Sequence, residues 1–340
     1  MGTHGKVARP SPSFARADAG PSGADGRFAP SPTGPLHVGN LRTALLAWLF
    51  ARSAGACFLV RVEDLERSRV RPGMEEAELA DLRAIGLDWD GPVVRQSERM
   101  KLYEEAIAGL DDDGLLYPCY CTRAEIRAAA SAPHGISAAD RYPGTCRELT
   151  AKERIEREAS GRPPALRVRA ENIRIAFEDR LLGRYEGEVD DFVVRRNDGA
   201  PAYQLAVVVD DFAQEVGEVV RGADLLDSTP RQILLSRLLE LHSPRYAHVP
   251  LVLGPDRRRL AKRHGAVTLA DRNALGESPR EVLAWNGALA RARGAQREAG
   301  PRRPARALRL RPPAGRADGL VSGDGGVSGR TPAYRQKVVD

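Results

Sequence analysis

Residues Arg27 to Asn40, reading RFAPSPTGPLHVGN, leave the chain few ways to fold. Arg27 to Ala29 predicts the end of a short strand. Pro30, Pro32, Gly34 and Pro35 suit neither a strand nor a helix interior, so a loop must follow. Leu41, Leu45, Trp48 and Leu49 then repeat with helical spacing. Strand, loop and helix in this order open a nucleotide-binding α/β unit. The helix is expected to start near His37, where the backbone N–H groups and the positive dipole end attract an anion. His37 can donate a ring N–H to the same anion, and Gly39 lets a flat ring lie against the backbone.

The rest of the chain is consistent with such a unit. Cys57 to Val62 predicts a buried strand that ends at Glu63-Asp64, and a carboxylate there faces the ligand crevice. Amphipathic helices are expected over Gly73–Ile85 and from a Ser97 cap through Leu110. Ala165–Arg169 and Ile173–Phe177 alternate like strands. Pro201 to Asp211 is a continuous apolar run that periodicity cannot assign to helix or strand. Glu218 to Gly222 predicts a short strand delivering Arg221 to its carboxyl end, and Ser228-Thr229-Pro230 predicts a helix start. Farther on, Arg257 to Arg263 is a basic run, which by itself is a solvated face.

Charge narrows the class of partner. The formal net charge of +6 is uneven: Gly287 to Asp340 carries twelve Lys/Arg against four Asp/Glu, so the remainder is slightly acidic. A nucleic-acid surface on the folded body must therefore be a local patch. No apolar run approaches a membrane span or a secretory core. Four cysteines in 340 residues do not make a disulfide scaffold, so a cytoplasmic protein is expected. Three of them, Cys119, Cys121 and Cys146, fall close together and suit a tetrahedral zinc site short of one ligand. His134 and Tyr142 are the candidates for the fourth. Ligand chemistry alone favours His134, because zinc would have to lower the Tyr142 phenol from about 10.

The His37-Val38-Gly39-Asn40 stretch resembles the HIGH signature of the class I aminoacyl-tRNA synthetases, and its lead-in resembles their glutamate-specific branch. Arg259-Leu260-Ala261-Lys262 resembles the mobile K-M-S-K-S loop in its K-L-S-K form. Lys262 keeps the ammonium, Arg259 keeps charge without the lysine shape, and Ala261 lacks the hydroxyl. The resemblance runs from Arg27 to about Leu269. It implies an α/β, Rossmann-type catalytic domain with an inserted zinc-binding, acceptor-type subdomain and a short helical C-terminal part. The expected organisation is an extension over 1–25, the two catalytic halves over 26–110 and 191–250, and the insert over 111–190. A mobile loop and helical stem follow over 251–286, with a basic disordered tail over 287–340.

The resemblance also implies a chemistry. The glutamate carboxylate attacks the α-phosphate of ATP, carried with Mg2+, and pyrophosphate leaves. His37 and Lys262 are the implied catalytic residues. His37, Gly39, Asn40, Arg259, Leu260 and Lys262 are the implied ATP site. Arg27, Ala29, Ser31, Glu63, Tyr203 and Arg221 match positions that line the glutamate pocket. From charge alone, Arg27 and Arg221 suit the side-chain carboxylate and Glu63 the α-ammonium, with Tyr203 adding a hydroxyl. Cys-x-Cys followed by Tyr-x-x-x-Cys matches a zinc set of Cys119, Cys121, Tyr142 and Cys146 in some glutamate-type relatives. That pattern, and an ordered part expected to end soon after Trp285, implies the group without an anticodon-reading domain. Such enzymes activate glutamate without tRNA and attach it to queuosine in the anticodon of tRNA(Asp). A monomer is expected.

Overall fold

The computed structural model describes residues 25–130, 142–254, 256, 260, 265, 267–284, 308–311 and 335–337. The opening unit forms as its sequence dictates: strand β1 (Gly26–Phe28), the proline-rich loop, then helix α1 (Val38–Ser53). Strand β2 (Phe58–Val62), helix α2 (Met74–Ala84), strand β3 (Val94–Arg95) and helix α3 (Met100–Asp112) complete the first half. Next come β4 (Leu116–Cys119), α4 (Arg123–Ala130), α5 (Ala151–Glu158), β5 (Ala165–Val168), the hairpin β6 (Ile173–Asp179) and β7 (Gly183–Val189), and β8 (Val193–Arg195). The second half holds α6 (Tyr203–Ala213), β9 (Glu218–Gly222), α7 (Thr229–Leu238), β10 (Arg245–Val249), β11 (Val252–Leu253) and α8 (Leu269–Ala274). Strands β12 (Leu308–Arg311) and β13 (Arg335–Lys337) lie in the tail.

The main sheet has the order β3-β2-β1-β9-β10-β6-β7, parallel throughout except for β7 against β6. Its two faces are buried separately. Phe58 and Val60 pack with Leu41, Leu45, Leu79 and Leu82 of α1 and α2. On the other face, Val219 and Tyr246 pack with Tyr103, Leu205, Val209 and Leu235 of α3, α6 and α7. Burial on both faces explains the near-continuous apolar character of these strands. The chain leaves β1 for β2 on one side, and later β9 pairs on the other. That reversal opens a crevice at the carboxyl ends of β1 and β9.

Several expectations change. The 203–213 segment is a helix, so the ambiguous apolar run is a buried helix with Asp210 and Asp211 at its end. Ser97 caps no helix: its N–H and hydroxyl bind Asp64, and α3 begins at Met100 after a short 3-10 turn. The boundary expected at residue 190 does not separate two sheets. The β6–β7 hairpin, assigned to the insert, extends the main sheet, whereas β8 joins β4 and β5 in a small antiparallel sheet. The 287–340 tail, expected to be disordered, contributes β12 and β13, which build a three-stranded sheet on β11. Of the extension expected over 1–25, residues 1–24 lie outside the described residues. Among the described residues no helix is long and apolar enough to cross a membrane.

Helix α2 carries one misfit. Glu78 is buried with its Oε2 unpartnered, and burial, then the charges of Asp81 and Glu75, push its carboxyl up to about 8. In the unfolded chain it ionises near 4.5. The folded state therefore holds an extra proton between these values, and stability falls as pH rises through about 8. Glu78→Gln is expected to leave the melting temperature unchanged near pH 4.5 and to raise it by several degrees near pH 9. Thermal melts across that pH range check this.

Candidate active site

A cavity of about 570 Å³ lies over the carboxyl ends of β1, β2 and β9. It is lined by Arg27, Ala29, Ser31, His37, Gly39, Asn40, Glu63, Tyr203 and Arg221, so nine residues singled out in the sequence meet in one place. The Pro30 and Pro32 carbonyls accept from the Glu63 and Arg71 amides, pinning the loop along the cavity to the end of β2 and the segment before α2.

His37 is the N-cap of α1. Its Nδ1 accepts from the Asn40 amide at 3.1 Å, and Asn40 Oδ1 accepts from the His37 amide at 3.2 Å, a reciprocal capping box. With Nδ1 an acceptor, the proton of the neutral ring sits on Nε2. Gly39 has a nearer reason than a bound ring: a Cβ there would come within 3.0 Å of His37 Nδ1. The Val38 amide donates to Val267, and His37 bridges to Thr268, which ties the cap to the segment before α8. Leu260, the described member of the K-M-S-K-S-like stretch, is buried and donates its amide to Val252, itself on the cavity wall. Arg259 and Lys262 lie outside the described residues.

Arg27, Arg71 and Arg221 line the cavity, and Arg27 and Arg221 are in different electrical states. Arg27 is bound by Asp211 through Nε and Nη2, at 3.2 and 3.3 Å. Arg221, at the end of β9 and only 4% exposed, donates from Nε to His248 at 3.0 Å and from Nη2 to Thr229 at 2.8 Å. Its Nη1 is buried without a partner. An unpartnered guanidinium N–H at a polar cavity is a receptor for a carboxylate. Glu63 receives Arg61 at 3.4 Å. Burial nonetheless keeps its carboxyl above the usual range, against the lowering effect of Arg61 and Arg27. Tyr203 heads α6 and lines the cavity, where partial desolvation, with Glu63 nearby, raises its pKa.

Sequence reasoning missed the pair that holds these groups. Asp211 accepts from Arg27 and, at 2.7 Å, from Arg61. Asp210 accepts from Arg99 at 2.6 Å and from Gln96 and Tyr103 at 2.8 Å. Burial alone would push the Asp211 carboxyl up, and the two arginines more than reverse that. Consecutive acids at the end of an apolar run read locally as a solvent-facing terminus, and only tertiary structure shows their partners.

A second cluster sits beyond β4. Cys119, Cys121 and Cys146 place their sulfurs within 4.8 Å of one another. Tyr142 Oη lies 3.5 Å from Cys119 Sγ and 3.9 Å from Cys121 Sγ, and accepts the Cys146 amide at 2.7 Å. Four donors thus converge, a set that fits a tetrahedral, sulfur-rich metal site. His134 lies outside the described residues. The Cys119 thiol, donating to the Cys146 sulfur, lowers Cys146 to about 6, and the same bond, with burial, raises Cys119 to about 12. Arg167 stacks on the Tyr142 ring at 3.7 Å. The cluster is fastened to the catalytic body through Asp190, which accepts the Tyr142 amide and the Arg231 guanidinium. Asp191 accepts from Tyr117 and Arg147.

Asp211 bears the heaviest electrostatic duty, since it neutralises two buried guanidinium groups. Asp211→Asn is expected to cost about 3–5 kcal/mol of folding stability, read by denaturant titration. A change within about 0.5 kcal/mol would show that the arginines are paired elsewhere.

Comparison with known proteins agrees with this geometry. The family described as tRNA synthetases class I (E and Q), catalytic domain, matches residues 25–295. A glutamyl-Q tRNA(Asp) synthetase from Nocardia farcinica is 64% identical over 262 residues, covering 77% of this chain and 83% of the relative. One from Symbiobacterium thermophilum is 56% identical over 270 residues, covering 76% of this chain and 84% of the relative. Among solved structures, a glutamate tRNA ligase from Elizabethkingia meningosepticum in complex with its amino acid superposes with a TM-score of 0.63 at 33% identity. It covers 71% of this chain, which spans only 52% of that ligase. The cavity at the sheet reversal, the capped His37 helix and these matches carry one conclusion: the chain belongs to the class I tRNA synthetases of the glutamate and glutamine type, a family of ligases.

Proposed function

We propose that the protein activates L-glutamate with ATP in the absence of tRNA and transfers the glutamyl group to queuosine in the anticodon of tRNA(Asp). The observation that carries the glutamate half is Arg221: a buried guanidinium at the cavity, held by neutral partners, with Nη1 unpartnered. The tRNA(Asp) half is supported by the 64% and 56% identical relatives of that name, each matched over more than four-fifths of its length.

Arg221 takes the side-chain carboxylate of glutamate, with the Tyr203 hydroxyl beside it, and Glu63 takes the α-ammonium. Arg27, Ala29 and Ser31 form the wall between them. This leaves the α-carboxylate facing the start of α1, where His37 Nε2–H, Gly39 and Asn40 meet the phosphates of ATP. A carboxylate oxygen attacks the α-phosphorus, the bond to pyrophosphate breaks, and glutamyl-adenylate forms. Arg259, Leu260 and Lys262 supply the second side of the triphosphate cradle, and Mg2+ accompanies ATP. In the second step queuosine takes the glutamyl group and AMP leaves. Glutamine is disfavoured because its amide would leave Arg221 facing no negative charge. A zinc ion held by Cys119, Cys121, Tyr142 and Cys146 would cross-link the small subdomain, a structural role away from the phosphates.

Two measurements test this. Glutamate is expected to support ATP–pyrophosphate exchange without RNA, and labelled glutamate is expected to appear on queuosine-containing tRNA(Asp) but not on tRNA(Glu). Labelling of tRNA(Glu) instead would assign the chain to 3′-end charging. Failure to exchange with glutamate would remove the activity altogether. For the metal, elemental analysis is expected to find about one zinc per chain. Tyr142→Phe is expected to weaken zinc retention at least about tenfold in chelator competition, with three thiolates remaining.

A further inference from the structure

The partners of Arg221 form an ordered chain of bonds. His248 Nε2 accepts from Arg221 Nε at 3.0 Å, and Thr229 Oγ1 lies 3.1 Å from the same nitrogen. The other ring nitrogen, Nδ1, is 2.6 Å from Asp179 Oδ2. Asp179 is fully buried at the end of β6 and accepts the backbone amides of Leu181, Leu182 and His248. A carboxylate so held accepts from the ring, so the histidine proton sits on Nδ1 and a lone pair on Nε2 faces the guanidinium. Burial, then the charges of Arg221 and Arg27, keeps the ring neutral against the pull of Asp179.

Arg27 makes the contrast plain. Its guanidinium is joined directly to a carboxylate, so its charge is compensated before any substrate arrives. Arg221 reaches its nearest carboxylate in the bonded chain only through an imidazole. The histidine holds the guanidinium through one hydrogen bond at Nε without neutralising it. Nη1 and the positive charge are then left for a ligand.

We infer that His248, oriented by Asp179, is the positioning residue that presents Arg221 to the glutamate side-chain carboxylate. It acts as a neutral spacer that aims the cation and preserves its charge. The inference rests on the reading of the cavity as a glutamate site. It also gives the β6–β7 hairpin a function: the strand added at the edge of the sheet, paired to β10 at Tyr246 and Asp179, delivers the carboxylate that sets the histidine tautomer.

Steady-state ATP–pyrophosphate exchange on the full chain, with glutamate and ATP varied separately, tests it. His248→Leu removes the acceptor. It is expected to raise KM for glutamate at least about tenfold, to leave KM for ATP within about twofold, and to erode the preference for glutamate over glutamine. His248→Gln can place an amide oxygen near the Nε2 position and is expected to stay within about threefold of the parent. His248→Asn reaches Asp179 but not Arg221 and is expected to behave like the leucine variant. If the leucine protein does not fold, the glutamine and asparagine pair decides the question. Equal KM for glutamate in those two, or parallel changes in both KM values, would overturn the inference while the parent's glutamate exchange stands. A parent that does not exchange with glutamate would remove the underlying reading and this inference with it.

Discussion

Two adjacent carboxylates at the end of α6 hold the catalytic body together. Asp211 reaches Arg27 on β1 and Arg61 on β2, and Asp210 reaches Arg99, Gln96 and Tyr103 around the start of α3. Removing such charges from water is costly, and their mutual attraction offsets that cost only when geometry and hydrogen bonding are nearly complete. Arg61 contacts Asp210, Asp211, Glu63 and Gln214, although its Nε is buried without a hydrogen bond. The consequence is positional. The end of β1, the end of β2 and the body of α6 cannot shift independently, and these three elements carry Arg27, Glu63 and Tyr203 to the cavity.

The same device recurs at Asp190 and Asp191. These acids bind Arg231 on α7, Arg147 and the Tyr117 hydroxyl, and the amides of Tyr142 and Ala170. They lie between β7 and β8, where the chain passes from the main sheet to the small one carrying Cys119. The passage from β7 to β8 is thus fastened by buried carboxylates rather than by apolar packing alone. Such contacts are directional, and they set the angle between elements more narrowly than burial of area can.

How much of this the sequence discloses depends on the range of the interaction. The loop from Pro30 to Pro35 and the helix after it are legible because proline geometry and helical spacing are local properties. The convergence of Arg27, His37, Glu63, Tyr203 and Arg221 is legible through the resemblance, and the cavity lining agrees with it. The state of α6 is not, because a helix buried on most sides has no polar face to betray its period. The strand character of β6 is readable from its alternation, but its sheet is set by a pairing with β10 nearly seventy residues on. His248 offers no signal: a lone histidine in an apolar strand reads as core, and its meaning comes from Asp179 on another strand. The cysteine cluster lies between these cases. Spacing gathers the three sulfurs, whereas the place of Tyr142 beside them depends on how its amide is held by the Asp190 carboxylate.

The distribution of charge over the cavity follows from these constraints. A site for an amino acid must offer a cation and an anion close together without letting them pair with each other. Direct pairing of every arginine would give a rigid but electrically silent pocket. Leaving every arginine unpaired would put several bare cations in a low-dielectric interior, which folding free energy of this size cannot support. The chain divides the labour. Arg27 and Arg61 are compensated by Asp211 and serve the architecture, while Arg221 is braced by an imidazole and a hydroxyl and keeps its charge. An N–H left unpartnered in the fold, as at Arg221 Nη1, carries a desolvation cost that a carboxylate accepting from it would relieve. On the proposed glutamate reading, binding energy would be concentrated at the atom that distinguishes an acid from its amide.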